Sequence, residues 1–230
     1  MIYRTQEEKV NKDRADNFTT EYSRNYWEPG LDECDVWNTR YEHEKTIILN
    51  ICKENDIKTI LELGSGPGKL SQIIINELPE IKYHLIDLEC ANQEFNNRGY
   101  KGKFFIKNLE DTFDTDGLLE KYDLIIMNDF IEHIRNPSRI TSTCVKLMND
   151  KSRLLVSIPN WRTSHLFIYR GLFDFDNFTY FLQFHKLMVL GIYRSPIIVD
   201  LKTEKTDNET MMPDDYVNSW NFYFLCEKAK

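Results

Sequence analysis

The chain has 230 residues, with 29 basic and 37 acidic side chains, so its formal net charge is −8 and its pI is about 5.2. An apolar fraction of 41% with 13% aromatic residues excludes an intrinsically disordered chain. The acidic balance argues against a general affinity for nucleic acid, which requires basic patches. No run of about 18 apolar residues is present, so no membrane-spanning helix is expected.

The first residues and the cysteines together predict a cytoplasmic protein. Residues 1–9 contain no apolar stretch of the kind found in signal peptides. The five cysteines lie far apart and none forms a Cys-x-x-Cys pair, which implies neither a zinc site nor a redox motif. Scattered cysteines of this kind fit a reducing compartment.

Helices and strands are predicted to alternate along the first part of the chain. Residues 1–40 mix aromatic and charged residues and are interpreted as a cap, and 42–55 have apolar residues at helical spacing. The next predicted elements are strands at 57–63, 82–88, 103–107, 122–128 and 153–158, with helices at 70–78 and 137–148. This alternation indicates an α/β fold with a mainly parallel sheet.

The pattern changes after residue 160. Residues 161–195 are rich in aromatic side chains, and we assign no regular element to them. We interpret most of these side chains as subdomain core or an oligomer contact, with an acceptor-pocket wall as the alternative. Strands are predicted at 196–201 and 220–227, separated by a polar, acidic loop at 202–215.

A glycine-rich segment follows the first predicted strand. It reads Glu-Leu-Gly-Ser-Gly-Pro-Gly from Glu62 to Gly68. Glycines let the backbone turn tightly and let a ligand approach main-chain atoms. The dinucleotide fingerprint would need glycine where Lys69 stands, and the phosphate-binding P-loop would need serine or threonine where Leu70 stands. A glycine turn without a ligand remains the structural alternative.

The glycine segment resembles the first motif of the class I (Rossmann-like) S-adenosylmethionine-dependent methyltransferases. Residues 85–88 (Leu-Ile-Asp-Leu) resemble the end of that family's second strand, and 154–160 resemble its fifth-strand motif. Residues 123–134 resemble the fourth-strand motif in the branch that carries a Glu-His pair. These matches occur in the family's order between about residues 40 and 160.

The resemblance implies a doubly wound, mostly parallel seven-stranded sheet with an N-terminal helical cap and an inserted aromatic segment after the fifth strand. It divides a single domain, 1–230, into an N-terminal cap and helix (1–55), a cofactor-binding core (56–160) and an acceptor-side segment with the last two strands (161–230). The implied cofactor is S-adenosylmethionine.

The resemblance also implies which residues bind the cofactor. Asp87 follows Gly64 by 23 residues, near the offset expected for an acid that binds ribose hydroxyls. Asn108 would accept a hydrogen bond from the adenine amino group. The full implied set is Glu62, Gly64, Ser65, Gly66, Gly68, Asp87, Leu88, Asn108, Leu109 and Asn128.

His133 is the candidate general base, because an unperturbed imidazole has a pKa of about 6.5. A histidine that only starts a helix is the structural alternative. The candidate catalytic residues are His133, Asp129, Glu132 and His185. His43 and His84 are interpreted as structural.

The same four residues are candidate ligands of a divalent metal. Some relatives with a similar Glu-x-x-Glu-His arrangement bind a metal with a further histidine downstream. The downstream candidate here is His185, with His165 as its rival. This chain departs from the pattern, with Asp129 at the first position and Lys-Leu-Met after His185 where relatives have Arg-Phe-Phe.

The expected function is O-methylation of a small molecule or glycan precursor. The alternatives are N-methylation of an amine or aminosugar, a cofactor-binding partner protein without catalysis, and an oxidoreductase. Neither nucleic acid nor a membrane is an expected partner. The oligomeric state stays open, and a dimer is compatible with the aromatic segment.

Overall fold

A computed structural model of the chain describes residues 35–110, 113–159, 175–196 and 219–229. Its centre is a seven-stranded sheet with the strand order β3-β2-β1-β4-β5-β7-β6. The strands are β1 (Thr59–Leu63), β2 (Lys82–Asp87), β3 (Lys103–Ile106), β4 (Tyr122–Met127), β5 (Met148–Pro159), β6 (Leu187–Pro196) and β7 (Ser219–Lys228). Strands β1 to β5 pair in parallel, whereas β7 is antiparallel to both β5 and β6. This confirms the predicted mostly parallel seven-stranded sheet.

Helices cover both faces of the sheet. They are α1 (Asp35–Asn55), α2 (Lys69–Glu77), α3 (Glu89–Asn97), α4 (Pro137–Leu147) and α5 (Phe175–Phe184), with a 3-10 turn at Ile131–His133. Helices α1, α2 and α3 pack on one face, and α4 and α5 pack on the other. The central strand β4 is therefore buried from both sides, which explains its continuous apolar run, Leu124 to Met127.

Helix α4 shows how local sequence sets an element's start. Pro137 occupies the first turn, where its missing N–H costs no intrahelical bond, and the Asn136 side chain accepts from the Arg139 backbone N–H. Helix α1 begins earlier than the predicted helix at 42–55. This difference is relevant below, because the additional turn contacts the site.

The predicted strand at 196–201 is wrong in position. The structure has β6 at Leu187–Pro196, and residues 197–201 lie outside the described part of the chain. The pairing of β6 with β7 shifts register between Val189 and Gly191, so its apolar residues do not alternate regularly between the two faces. The predicted strand at 220–227 is confirmed by β7.

The aromatic segment contributes a helix rather than a loop. In α5, Phe178 and Phe181 are buried in the core, whereas Tyr180 and Phe184 are 70% and 79% exposed. The core interpretation therefore holds for the buried pair. The expectations for residues 1–34, for His165 and the rest of 160–174, and for the loop at 202–215 lie outside the described residues.

Two further observations bear on the expectations. His84 is buried, and its Nδ1 lies 2.6 Å from the Tyr122 hydroxyl. Burial lowers its pKa to about 4, in agreement with a structural histidine. Among the helices that the structure describes, none has the length and apolar character needed to cross a membrane.

Candidate active site

The glycine segment forms a tight loop between β1 and α2. Gly64, Gly66 and Gly68 all have positive φ, at 69°, 55° and 82°. The backbone N–H of Gly64 donates to the Ile86 carbonyl at 2.9 Å, which ties the loop to the end of β2. A Cβ on Gly68 would lie 2.9 Å from Leu85 and 3.0 Å from Phe95. Glycine is needed here for backbone conformation and for close packing of α2 against the sheet.

Asp87 ends β2 beside this loop. Its Oδ2 accepts from the Gly66 backbone N–H at 2.7 Å, and its Oδ1 accepts from the Leu88 N–H at 2.7 Å. Burial raises the pKa of Asp87, while these two hydrogen bonds act in the opposite direction. Each carboxylate oxygen still has lone-pair capacity for a ligand hydroxyl.

Asn108 and Leu109 follow β3 at the same edge of the sheet. The Asn108 Oδ1 accepts from the Glu110 backbone N–H at 3.1 Å, and Leu109 is buried in the core. The Leu109 carbonyl accepts from the Arg139 guanidinium on α4. Because β3, β2, β1 and β4 are neighbours and parallel, their carboxyl ends meet at one edge. The structure therefore places the implied cofactor residues along a continuous rim.

Glu62 differs from the other implied cofactor residues because its side chain lies beneath the loop. Its carboxylate is 4% exposed and accepts hydrogen bonds from the Ser71 hydroxyl at 2.5 Å and the Tyr83 hydroxyl at 2.8 Å. Burial raises the pKa of Glu62 to about 7 despite these hydrogen bonds. The side chain joins β1 to α2 and β2, so it supports the glycine loop from below.

The segment 128–133 follows β4, and we call it the β4 turn. Asn128 begins it, and neither amide atom of its buried side chain has a hydrogen-bond partner among the described residues. Asp129 has a φ of 45°, a left-handed conformation that aspartate adopts more readily than most residues. Phe130 packs directly on Gly64, so that a side chain at Gly64 would collide with its ring. The β4 turn therefore touches the glycine loop.

Asp129 is fully engaged by protein groups. Its Oδ1 accepts from the Ser157 hydroxyl at 3.1 Å and from the Asn221 amide at 2.5 Å, and its Oδ2 forms an ion pair with Arg40. The Asp129 backbone N–H also donates to Ser157 Oγ at 2.9 Å. We call these four residues, Arg40, Asp129, Ser157 and Asn221, the Asp129 network. Its contacts account for the Asp129 carboxylate by structure rather than by chemistry.

Glu132 and His133 lie in the 3-10 turn and differ sharply in environment. The Glu132 side chain has no exposed surface, and neither carboxyl oxygen has a hydrogen-bond partner among the residues the structure describes. Burial raises the pKa of Glu132 to about 8, against the opposing charge of Arg40. The imidazole of His133 is 20% exposed, with Nε2 at 3.8 Å from Glu132 Oε1.

The structure does not bring the four candidate metal ligands together. His185 ends α5 and packs on α4, where its ring nitrogens lie 3.2 Å from Ser142 Oγ and 3.1 Å from Ser138 Oγ. Within the described ranges, no group of three or more histidine, cysteine, aspartate or glutamate side chains is arranged to hold a metal. The sequence spacing of Asp129, Glu132 and His133 suggested one helical face, but the chain makes a left-handed turn at Asp129 and a short 3-10 turn instead.

Sequence reasoning missed Arg40, Ser157 and Asn221. They come from α1, β5 and β7, and only the fold brings them to Asp129. Ser157 carried a signal, since it is a polar residue inside an otherwise apolar strand. Arg40 and Asn221 carried none that distinguishes them from other polar residues.

The family model described as a methyltransferase domain matches residues 38–187, which is more than half of the chain. The chain belongs to this methyltransferase family. Family and fold confirm the prediction of an S-adenosylmethionine-dependent methyltransferase, and the oxidoreductase alternative falls with it.

Similar proteins share this fold. The plantazolicin methyltransferase BamL, in complex with a triazolic desmethylPZN analog and SAH, matches with a TM-score of 0.67 at 16% identity over 97% of each chain. Magnesium protoporphyrin IX methyltransferase from Synechocystis PCC 6803, with bound SAM, matches with a TM-score of 0.60 at 13% identity over all of both chains.

One relative is similar in sequence. Ribosomal RNA small subunit methyltransferase C of Buchnera aphidicola subsp. Baizongia pistaciae (strain Bp) is 27% identical over 132 residues, or 52% of this chain. The match spans only 39% of that relative's length.

Proposed function

We propose that this methyltransferase transfers a methyl group from S-adenosylmethionine to an oxygen of a small molecule or glycan precursor, with His133 as the base. The observation that carries the proposal is the placement of the β4 turn against the glycine loop, through Phe130 and Gly64. This contact puts the candidate base next to the candidate cofactor rim. The Glu132-His133 pair is also the basis for assigning the chain to the branch with that motif.

The residues at the rim fit the proposed cofactor. The three glycines with positive φ present main-chain atoms without side-chain obstruction, which suits the close approach of a ligand. In the proposal Gly64, Ser65, Gly66 and Gly68 line the donor, while Asp87 accepts from its ribose hydroxyls. Asn108 accepts from the adenine amino group, with Leu88 and Leu109 beside the ring. Bound S-adenosylmethionine supplies an already activated methyl group.

The chain's own contribution is to orient the acceptor and to remove its proton. In the proposal Asn128 orients the acceptor near the rim, and His133 accepts the hydroxyl proton at a ring nitrogen. General base catalysis of this kind contributes about 10²–10⁴-fold. Glu132 is largely protonated at neutral pH, because burial raises its pKa to about 8, so it can donate a hydrogen bond beside His133.

N-methylation is the second candidate function, and Asn128 favours it. The side-chain oxygen of Asn128 is buried and makes no hydrogen bond to any described residue, so it could accept from an amine N–H. Transfer to an amine does not require a strong base. The two functions therefore differ in how much they depend on His133.

The remaining expectations belong to the same proposal. The acceptor is neither nucleic acid nor a membrane component, the protein works in the cytoplasm, and residues 161–230 shape the acceptor side of a single domain. The net charge of −8 supports the first of these.

A methyl-transfer screen tests the proposed function. The protein is incubated with S-adenosylmethionine and pools of metabolites and sugar nucleotides, and products that gain one methyl group are found by mass. We expect a hydroxyl-bearing product, and His133→Ala should lower its rate of formation by about 100-fold or more. An amine product with His133→Ala retaining most of the activity would replace this function with N-methylation. Methylation of nucleic acid alone would contradict it.

A further inference from the structure

One turn at the start of α1 contacts both sides of the candidate site. Asn38 Oδ1 accepts from the Lys69 ammonium at 3.2 Å, and that ammonium also lies 5.5 Å from the centre of the Tyr41 ring. Lys69 is the first residue of α2, directly after the glycine loop. In the same turn of α1, Arg40 pairs with Asp129 of the β4 turn. Residues 38–41 therefore connect the cofactor rim to the β4 turn.

Arg40 lies between two carboxylates. Its Nε donates to Glu44 Oε1 at 2.9 Å, and one of its terminal nitrogens pairs with Asp129 Oδ2. The side chains of Arg40 and Glu44 are 13% and 2% exposed. Glu44 Oε1 also accepts from the Tyr223 hydroxyl at 2.8 Å. Burial alone would lower the pKa of Arg40, but the Glu44 carboxylate raises it above its usual value.

This arrangement is different from a surface ion pair. Two terminal groups of one planar guanidinium hold two separate carboxylates, which a lysine ammonium on a flexible stem does less well. Removing Arg40 would leave the Asp129 carboxylate with only Ser157 and Asn221 at Oδ1. The left-handed backbone at Asp129 would then lose the charged contact that holds it.

We propose that Arg40 is a positioning residue for methyl transfer, which holds the β4 turn through Asp129 so that Asn128 and His133 face the acceptor. The part of this inference that concerns the acceptor rests on the proposed function. The hold on the turn does not, and it can be measured without any acceptor. Helix α1 is thus a working part of the site and not only a cover on the sheet.

Amide hydrogen exchange of the full chain tests the hold directly. Arg40→Met removes both ion pairs while keeping an unbranched side chain. Arg98→Met is the matched control, because Arg98 forms a comparable ion pair with Glu94 at 2.8 Å on α3, with 14% exposure. We expect Arg40→Met to speed exchange in peptides covering 128–134 by about tenfold relative to peptides from β1 and β2, and Arg98→Met to leave it unchanged.

Binding of S-adenosylhomocysteine separates a local effect from a general one. In calorimetry, Arg40→Met should change its Kd by less than about threefold, since the cofactor rim is intact. Combining Arg40→Met with Asp129→Asn should add less than about twofold to the exchange of either variant alone, because both act on one contact. Equal acceleration across all peptides, or none at 128–134, would overturn the proposal.

The activity of the acceptor found by the screen is the final readout. Arg40→Met should lower kcat by about tenfold or more with the KM for S-adenosylmethionine within about twofold, and Arg40→Lys should recover part of the loss. An unchanged kcat would refute the positioning role. If the screen yields no acceptor, the proposed function fails, whereas the exchange result still decides whether Arg40 holds the turn.

Discussion

Asp129 and Glu132 are two carboxyl groups in one short turn, and the fold gives them opposite electrostatic environments. Asp129 is paired with Arg40 and accepts from Ser157 and Asn221. Glu132 has no such partners among the described residues, and burial raises its pKa to about 8. An ionised and a neutral carboxyl can therefore coexist a few residues apart at neutral pH.

Asp87 gives the sharpest test at the scale of one residue. Asp87→Ala removes the acceptor for the Gly66 N–H and the proposed ribose contact together. We expect the Kd for S-adenosylhomocysteine, measured by calorimetry, to rise by about 10- to 100-fold, as for loss of a hydrogen bond to a charged group. Asp114→Ala is the control, since Asp114 is half exposed and pairs with Lys107 away from the loop. Equal affinities for the two variants would refute the role of Asp87.

The positions of the rim residues could be predicted from the sequence, but the partners of Asp129 could not. Gly64 to Gly68 and Asp87 follow short apolar strands, and parallel strands bring such ends together. Arg40 and Asn221 depend instead on how α1 and β7 dock, and Asn221 is 92 residues from Asp129. Local patterns carry no information about contacts at that distance.

At the scale of elements, the glycine loop depends on packing as well as on backbone conformation. Gly68 has a φ of 82°, and an added Cβ would come within 3.0 Å of both Leu85 and Phe95. Gly99 has a similarly positive φ of 64° but nothing within 4 Å of an added Cβ. The two positions therefore separate the cost of backbone strain from the cost of collision.

We expect Gly68→Ala to lower the free energy of unfolding by about 2–4 kcal/mol, the sum of a left-handed alanine and an overpacked contact. Gly99→Ala should cost about 1 kcal/mol, from backbone strain alone. Urea unfolding of both variants measures the difference. If Gly68→Ala proved no more destabilising than Gly99→Ala, the close packing of α2 on β2 would not matter for stability.

Elements with regular patterns were predicted well, and those without were not. Strands β1 to β5 are short apolar runs between helices, and the structure confirms them. Strand β6 was misplaced because its pairing shifts register near Gly191, and α5 was missed because its aromatic residues lie on both its buried and exposed sides. Tertiary packing decides both cases, and hydrophobic period does not.

For the whole molecule, Glu62 links stability to pH. Its pKa in the folded chain is about 7, above the ordinary value of 4.5, so the folded state holds this proton more tightly than the unfolded state. The stability that Glu62 contributes is complete below about pH 4.5 and is lost as the pH rises through about 7. The glutamine variant does not titrate and can still accept from Ser71 and Tyr83.

We therefore expect Glu62→Gln to gain stability relative to the native chain between pH 5 and pH 8, by up to about 3 kcal/mol. Urea unfolding at several pH values measures this difference. Glu120→Gln, at an exposed position, should show no comparable trend. A constant difference between Glu62→Gln and the native chain across this range would contradict the raised pKa.

The position of β7 has a consequence for the order in which the molecule assembles. Strand β7 lies between β5 and β6, although β6 precedes it in the chain. Among the described strands β6 pairs only with β7, so it has no place in the sheet until residues 219–228 arrive. The rim from β1 to β4 can form from contacts that are closer in sequence, whereas Asn221 reaches Asp129 only with β7. The cofactor rim can therefore form early in folding, while the acceptor side is completed in one of the last steps.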